Sequence, residues 1–326
     1  MRISIIMPVY NAEKWIVETI SSIRSQSFTD WELICIDDFS TDESMRRIAD
    51  FQKHDARIRS VSTKIKGIIP ALQLGLELST GEYITRMDAD DLMPPNRLQT
   101  MHDALLLADS KTIVTGKVKY FSEALVSEGY QRYEHWLNER VTHLDHFDHI
   151  YRECVIASPN WLARTAELRS DAIFEQLKYP EDYDMMFHWK VNNYKITAIS
   201  EVTLLWREHP ERTSRNSEVY DQASFFALKL DWFLTLNATS AELAVLGAGA
   251  KGKITAKFLN DREIPFNWYD FKAENYPAPL FGKNIQTYED LNEPHLLIAI
   301  YPKNLKDLAT FLSEKGYVIG RNAWFL

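Results

Sequence analysis

Three aspartates stand within four residues, directly after a short apolar run. They belong to the stretch Asp88-Ala89-Asp90-Asp91, which follows Tyr83 to Met87. Residues two apart along a strand point the same way, so Asp88 and Asp90 are predicted to share one face. Two carboxylates at a sheet edge suit a hard divalent cation, which prefers oxygen ligands. An exposed acidic turn that caps the next helix has the same spacing, so the pattern alone leaves both interpretations open.

A second acidic pair, Glu181-Asp182, follows Pro180 where a helix over 181–192 is predicted to begin. Acidic residues in the first turn commonly compensate the helix dipole. A carboxylate at such a position can also accept a proton from a reacting hydroxyl group. The spacing does not choose between these roles.

The segments that must position these acids alternate between strands and helices. Short apolar runs predict strands at Ile3–Val9, Leu33–Ile36, 58–62 and Tyr83–Met87. Helices are predicted between them, with Asn11 as the cap of the first and Ser40, Thr41 and Asp42 as the cap of the second. This α/β order predicts a parallel sheet covered on both faces. Ligands of such sheets bind beyond the carboxyl ends of the strands, which is where the aspartates stand.

The chain is predicted to hold two domains. Residues 1–220 form the larger one, and an aromatic-rich helix with a linker from Asn237 to Ser240 fills 221–240. A strand at Leu243–Leu246 then opens a smaller α/β domain over 241–326. The length of 326 residues agrees with two domains.

Composition limits the function classes. The formal net charge of −9 argues against a nucleic-acid partner, which normally requires a basic surface. Two cysteines, Cys35 and Cys154, cannot form a disulfide framework and fit a reducing compartment. No signal peptide or membrane span is expected, so the sequence predicts a cytoplasmic protein.

Four ordered segments give these patterns a context: 4–11 (SIIMPVYN), 36–42 (IDDFSTD), 81–91 (GEYITRMDADD) and 180–184 (PEDYD). Together they resemble the family 2 inverting glycosyltransferases, which have the GT-A fold, over residues 1 to about 220. The resemblance implies a nucleotide-sugar donor, most often a UDP-sugar, and a divalent metal, Mn²⁺ or Mg²⁺. It also implies a glycan or lipid-linked glycan acceptor in bacterial surface polysaccharide synthesis. Contact with the inner membrane face is expected to be peripheral at most.

Site residues carry over from the family by position. Pro8, Tyr10 and Glu13 would line the nucleobase pocket, and Asp38 would contact the base or ribose. Asp88 would meet the ribose or metal, and Asp90 would be the metal ligand proper. Arg86 would face the diphosphate, unless it is a packed surface arginine. Phe39 is a departure, because the family usually has glycine there, and Gln73 replaces a common asparagine.

The acceptor side also carries over by resemblance. Asp182 would be the general base, with Glu181 and Asp184 as helpers. His209 is a candidate metal ligand, although a lone histidine is more often structural. Asn160 and Trp161 are candidates for acceptor binding, with core packing as the default for any tryptophan. The run of His143, His146 and His149 is not expected to converge on a metal.

The last domain carries a G-x-G-x-x-G pattern, formed by Gly247, Gly249 and Gly252, with Asp270 at the end of the next predicted strand. This is the context of a nucleotide-binding loop, and the domain resembles small Rossmann-like domains of sugar-modifying proteins. Too few residues follow for a complete dinucleotide fold, which favours a docking role. Two alternatives to an active glycosyltransferase remain: a catalytically silent nucleotide-sugar binding protein, and a bifunctional enzyme with a redox C-terminal domain.

Overall fold

The computed structural model describes residues 2–123, 125–212, 220–237, 242–300 and 305–326. Contacts divide the chain into two units. The first holds residues up to 146 together with 155–216, and the second holds 147–154 together with the residues from 217 onward. The predicted linker lies outside the described residues from position 238 to 240.

The first unit is built on a five-stranded sheet. Its strands are β1 (Ile3–Val9), β2 (Trp31–Asp37), β3 (Ile58–Ser62), β4 (Tyr83–Arg86) and β6 (Ala163–Arg164). They lie in the order β3-β2-β1-β4-β6. The first four are parallel, and β6 pairs antiparallel with β4. The predicted strands and their parallel pairing are confirmed.

Helices cover this sheet and continue beyond it. They are α1 (Ile16–Arg24), α2 (Ser44–Gln52), α3 (Ile68–Leu78), α4 (Arg97–Leu106), α5 (Glu128–His143), α6 (Thr165–Ser170) and α7 (Glu181–Val191). In α1, Ile16, Ile20 and Ile23 recur at helical spacing and are fully buried against the sheet core. The apolar period therefore fixes which face of α1 packs inward.

The predicted cap at Asn11 is wrong. The first helix begins at Ile16, and Trp15 occupies its N-cap without a side-chain hydrogen bond. Asn11 adopts a left-handed backbone, with φ 48°, and its Oδ1 accepts the Thr41 N–H at 2.8 Å. Asparagine tolerates this conformation, so it joins two loops instead of starting a helix.

A long two-stranded ribbon completes the first unit. It pairs β5 (Thr112–Phe121) with β7 (Lys195–Arg207). Leu92 pairs with Leu205 by hydrogen bonds in both directions, so β7 runs beside the residues that follow the acidic turn. The ribbon thereby brings the chain after Arg207 to the aspartates.

The second unit has its own parallel sheet. Its strands are β8 (Leu243–Leu246), β9 (Asn267–Asp270), β10 (Ile285–Thr287), β11 (His295–Ile298) and β12 (Ala323–Phe325). Their order is β10-β9-β8-β11-β12, and every pairing is parallel. The helices of this unit are α8 (Gln222–Leu236), α9 (Ala250–Asp261) and α10 (Leu305–Glu314). None of the helices in the described ranges has the length and apolar character needed to cross a bilayer.

Candidate active site

The three aspartates lie in a turn beyond the carboxyl end of β4. The strand ends at Arg86, and the Asp91 N–H donates to the Asp88 carbonyl across the turn. Strand alternation therefore does not apply to Asp88 and Asp90, which corrects the reason for expecting them together. Both side chains belong to this one turn. Burial raises the pKa of the Asp88 carboxyl, and the negative charge of Asp90 adds to the rise.

Arg86 is engaged with two carboxylates. Its Nε donates to Asp88 Oδ1 at 2.7 Å, and its Nη1 donates to Glu181 Oε1 at 3.1 Å. The side chain is 4% exposed and that of Glu181 is 1% exposed. Arg86 is thus buried in ion pairs, not a surface arginine, and it connects the acidic turn to the start of α7.

Residues 207–209 meet the other side of the turn. Asp91 Oδ1 accepts the Arg207 N–H at 2.7 Å, and Arg207 Nε donates to the Asp90 carbonyl at 2.7 Å. His209 Nε2 lies 2.8 Å from Asp90 Oδ2. The imidazole also packs against the ring of Trp15, with centroids 3.8 Å apart and planes tilted by 33°. His209 is therefore oriented at Asp90 by a packed aromatic ring.

Burial governs the electrostatics of this turn. Asp91 is 1% exposed, and desolvation followed by the charges of Asp90 and Asp88 holds its pKa well above the usual range. Arg212 lowers the pKa of both Asp88 and Asp91 by its positive charge. Its own pKa is raised, despite desolvation, by Tyr120, Asp91 and Asp90. The arginines offset part of the negative charge concentrated here.

Asp182 is the accessible carboxylate of the second acidic pair. Its Oδ2 accepts the Ser158 hydroxyl at 2.6 Å, and its Oδ1 accepts the Tyr183 N–H at 2.8 Å. Asp184 is fully buried and accepts the Lys178 N–H at 2.7 Å, while Glu181 is held by Arg86. Of these three carboxylates, Asp182 is the one that is only partly buried.

The predicted nucleobase residues follow β1 and β2. Pro8 pairs with Ile36 in the sheet, and Tyr10 is 48% exposed, with Lys66 Nζ 4.7 Å from its ring centroid. Asp38 is nearly buried and accepts the Gly67 N–H at 2.7 Å. These residues sit at the same sheet edge as the acidic turn.

Glu13 has a local partner. Its Oε2 accepts the Glu43 N–H at 2.9 Å, and its own N–H donates to Asp42 Oδ2 at 2.9 Å. The carboxylate thus fastens the loop after β1 to the N-terminus of α2. In this arrangement its carboxylate holds the two loops together.

The acceptor candidates Asn160 and Trp161 are core residues. Asn160 is 1% exposed, and its amide donates to the Gly116 carbonyl and accepts from Thr203 Oγ1, both at 2.7 Å. Trp161 is fully buried and packs edge-on against Trp189. The structure offers no face of this ring to a sugar, and the default of core packing fits.

The glycine pattern of the second unit forms a tight turn. Gly247 has φ +114°, and a Cβ on Gly252 would lie 1.9 Å from the Gly247 carbonyl oxygen. Asp270 Oδ2 accepts the Ala248 N–H at 2.6 Å, and its Oδ1 accepts the Lys272 N–H at 2.8 Å. A Cβ on Gly249 would meet nothing within 4 Å. Two glycines are therefore required by the turn, and Gly249 faces open space.

A divalent cation fits part of this arrangement. Asp90 Oδ2 and His209 Nε2 are adjacent, and His209 Nδ1 is buried without a hydrogen-bond partner in the described chain. No cluster of three or more His, Cys, Asp or Glu side chains suited to a metal occurs in the described ranges. Mg²⁺ sites commonly combine one or two carboxylates with substrate phosphates and water, and Asp90 suits that pattern, whereas an imidazole is a ligand of softer divalent metals.

Sequence reasoning missed four residues of this site. Arg207 and Arg212 flank His209 in a segment that the sequence singled out only for its histidine. No sequence pattern marks Trp15 or Ser158. A tryptophan packed against a histidine and a serine beside a carboxylate have no characteristic spacing in the sequence.

Comparison with known proteins agrees with this geometry. Residues 4–165, about half of the chain, match the family described as "Glycosyl transferase family 2". An uncharacterized glycosyltransferase of Haemophilus influenzae is 29% identical over 65% of this chain and 67% of its own length. The putative glycosyltransferase EpsE of Bacillus subtilis is 42% identical over 30% of this chain and 36% of its own.

A solved structure shows the same fold. Staphylococcus aureus TarS 1-349 in complex with UDP-GlcNAc aligns with a TM-score of 0.56 and 21% identity, over 80% of this chain and 72% of that one. TarS itself is named a poly(ribitol-phosphate) beta-N-acetylglucosaminyltransferase, and this chain spans 44% of its length.

The solved structure shares the α/β fold of this chain, and the family match identifies the class of protein as a glycosyltransferase. Residues 4–165 are a glycosyltransferase family 2 domain.

Proposed function

We propose that this protein transfers a sugar from a nucleoside-diphosphate donor, a UDP-sugar, to a hydroxyl of a glycan or lipid-linked glycan, with inversion at the anomeric carbon. The observation that carries this proposal is the convergence of two acidic segments. Asp88 and Glu181 meet on Arg86, which brings the residues of the β4 turn to the helix that carries Asp182. Such a site has carboxylates for the donor and a separate carboxylate for the acceptor.

The donor would lie at the carboxyl edge of the sheet. The exposed ring of Tyr10 and the Asp38 loop would receive the nucleoside, and the turn at 88–91 would face the diphosphate. The UDP-GlcNAc complex of TarS, which shares the fold, supports a nucleotide sugar as the donor class.

A divalent cation, Mn²⁺ or Mg²⁺, would be held by Asp90 with His209. When bound, it would neutralise charge that develops on the leaving diphosphate. Trp15 keeps the imidazole directed at Asp90 by packing against its ring. Arg207 fixes the turn by holding the Asp90 carbonyl and the Asp91 carboxylate.

Asp182 would act as the general base. Hydrogen bonds from the Ser158 hydroxyl and the Tyr183 N–H set its orientation. Each oxygen keeps capacity for a further hydrogen bond, so the carboxylate can receive the proton of an acceptor hydroxyl. Removal of that proton lets the hydroxyl oxygen attack the anomeric carbon as the bond to the diphosphate breaks.

The test is incubation of the full chain with a panel of nucleotide sugars and Mn²⁺, measuring release of nucleoside diphosphate. Release from one donor, lost when EDTA is added, would support the proposal. Tight binding of a nucleotide sugar without release in the presence of cell-envelope glycan acceptors would favour the silent binding protein.

The second unit is proposed to be a small Rossmann-like domain with a docking role. Its parallel order and its glycine turn before α9 support the fold assignment. Both oxygens of Asp270 accept backbone N–H groups, which leaves less capacity for a ribose than a free acid would have. Titration of the full chain with NAD and NADP, in the presence of saturating UDP, tests the role; micromolar binding would overturn docking.

Location is the last element of the proposal. A cytoplasmic enzyme with at most peripheral contact at the inner membrane would meet nucleotide sugars and lipid-linked glycans together. Fractionation of cells that produce the chain would test this, and detergent-resistant membrane retention would contradict it.

A further inference from the structure

Arg86 lies between the two acidic segments of the site. Nε and Nη1 of its guanidinium donate to Asp88 Oδ1 at 2.7 Å and to Glu181 Oε1 at 3.1 Å. Asp88 belongs to the turn on the donor side, and Glu181 is the first residue of α7. One planar cation thus connects the turn after β4 to the start of α7. Arg86 and Glu181 lie 95 residues apart in the sequence.

The base of this arginine is rigid. Arg86 is the last residue of β4 and stands in register with Ile6 of β1, and the next N–H, of Met87, donates to the Ile6 carbonyl at 2.9 Å. A guanidinium holds its donors in a fixed plane, so it sets the directions of both carboxylates relative to the sheet. An ammonium group has no such geometry and would bind the two carboxylates as a point charge.

Burial makes this link consequential. The Arg86 and Glu181 side chains are 4% and 1% exposed, so water does not screen or replace their contact. A buried carboxylate needs a partner, and loss of that partner would force Glu181 to turn or to take up a proton. Because Asp182 follows Glu181 directly in α7, such a change would move the carboxylate that faces the acceptor.

We propose that Arg86 is a positioning residue that sets the placement of Asp182 relative to the donor-side turn, and that it does not bind the diphosphate. The inference rests on the proposed function, since it assumes that Asp182 is the base. It replaces the expectation that Arg86 faces the donor, because two of its nitrogens are committed to carboxylates.

The test compares Arg86→Lys, Glu181→Gln and Arg97→Lys in the full chain. Arg97 is a matched control: its side chain is also buried, and its Nη2 donates to Thr85 Oγ1 at 3.1 Å instead of to a carboxylate. Three quantities are measured for each variant: affinity for UDP with Mn²⁺ by calorimetry, the rate of UDP release from UDP-GlcNAc, and the melting temperature.

Arg86→Lys is expected to keep UDP affinity within about threefold and to slow release about 100-fold, as small misplacements of reacting groups do. Glu181→Gln retains an oxygen acceptor for the guanidinium and should lose about tenfold or less. Arg97→Lys should lower the melting temperature while the rate per folded molecule stays within about threefold.

Three outcomes would overturn the inference. A fall in UDP affinity that matches the fall in rate would make Arg86 a diphosphate ligand. An unchanged rate in Arg86→Lys would show that the link has no function, and an equal fall in Arg97→Lys would assign the effect to general packing.

Failure of the proposed function is distinguishable, because the wild-type protein would then neither bind UDP nor release it from any nucleotide sugar. In that case a double-mutant cycle tests whether the two side chains are coupled. It compares the free energies of unfolding of Arg86→Lys, Glu181→Gln and the double variant. Coupled effects would keep the positional link between β4 and α7, and additive effects would remove it.

Discussion

The two sheets share the order of their first four strands, which are parallel in both, but their carboxyl edges differ. In each unit the first strand lies between the second and the fourth, as β3-β2-β1-β4 and as β10-β9-β8-β11. At the first edge, the strand ends lead to aspartates, arginines and a histidine. At the second edge, they lead to a glycine turn. The topology creates a crevice in both units, but the side chains decide what it can do.

The acids at the two edges differ in what they still offer to a ligand. Asp270 of the second unit accepts a backbone N–H with each of its oxygens, so its carboxylate is held by hydrogen bonds within the turn. At the first edge, Asp88 and Asp90 crowd one another, and burial raises the pKa of Asp88. Arg86 and Arg212 offset part of this negative charge, and the divalent cation proposed above would offset more.

The largest expected effect on activity concerns Asp182, at the start of α7. Asp182→Asn should leave donor affinity intact and slow transfer by a factor of about 10² to 10⁴, because a carboxamide cannot accept the hydroxyl proton. Steady-state rates and UDP calorimetry measure the two quantities. The matched control is Asp184→Asn, which removes a buried carboxylate of the same helix and should affect stability first. Near-normal turnover in the Asp182 variant would move the base role elsewhere.

Removal of Asp90 tests the metal side of the same edge. Asp90→Ala should reduce Mn²⁺-dependent UDP affinity by about 100-fold while the fold stays intact, because a side chain in this turn contributes little to the core. Calorimetry with UDP, with and without Mn²⁺, checks it. Asp270→Ala in the second unit is the parallel control and should not change this affinity. Equal affinity in wild type and Asp90→Ala would exclude Asp90 as a metal ligand.

Two glycine substitutions test whether the turn at the second edge depends on close packing of its glycines. Gly252→Ala should destabilise the protein by about 3 kcal/mol, because its Cβ would overlap the Gly247 carbonyl oxygen. Gly249→Ala should cost less than about 1 kcal/mol, since its Cβ meets open space and φ is −72°. Denaturant unfolding of both variants measures the difference. Similar losses would mean that the turn is not held by glycine packing.

The second unit buries a lysine, Lys229, in its helix α8. Desolvation lowers the pKa of Lys229 from 10.5 to about 7. Between about pH 7 and pH 10.5 the unfolded chain therefore holds a proton that the folded chain has lost, and stability rises with pH across this window. Lys229→Met removes the cost of burying this charge, so it should stabilise the second unit by about 2 kcal/mol at pH 6 and have little effect near pH 10.5. Melting curves at both pH values give the answer, and a gain independent of pH would contradict it.

The smallest expected effect concerns backbone strain. The left-handed position at the second edge is a glycine, Gly247, while at the first edge it is Phe39, with φ 64° and 47% exposure. Phe39→Gly should stabilise the first unit by up to about 1 kcal/mol, because a bulky residue pays for this conformation. A fall in the melting temperature would show that the exposed ring makes contacts that outweigh the strain.

The sequence predicted most of the sheet and part of the site. Apolar runs of four to seven residues marked the parallel strands closely, because strands buried on both faces tolerate little else. The start of the helix after β1 was predicted wrongly. Asparagine is a common N-cap residue, but the Asn11 side chain accepts a hydrogen bond from the loop that contains Thr41. Trp161 was placed near an acceptor, yet it packs in the core, because a tryptophan's exposure depends on its neighbours in space.

The sequence by itself determined which residue types stand at the carboxyl ends of the strands, since strand period and chain order are local properties. Only the tertiary structure decided which of them meet. His209 reaches Asp90 across 119 residues, and Arg86 reaches Glu181 across 95. These pairings depend on how the β5–β7 ribbon and α7 pack against the sheet. Packing at such separations is set by the sum of many contacts, and no short pattern in the sequence records it.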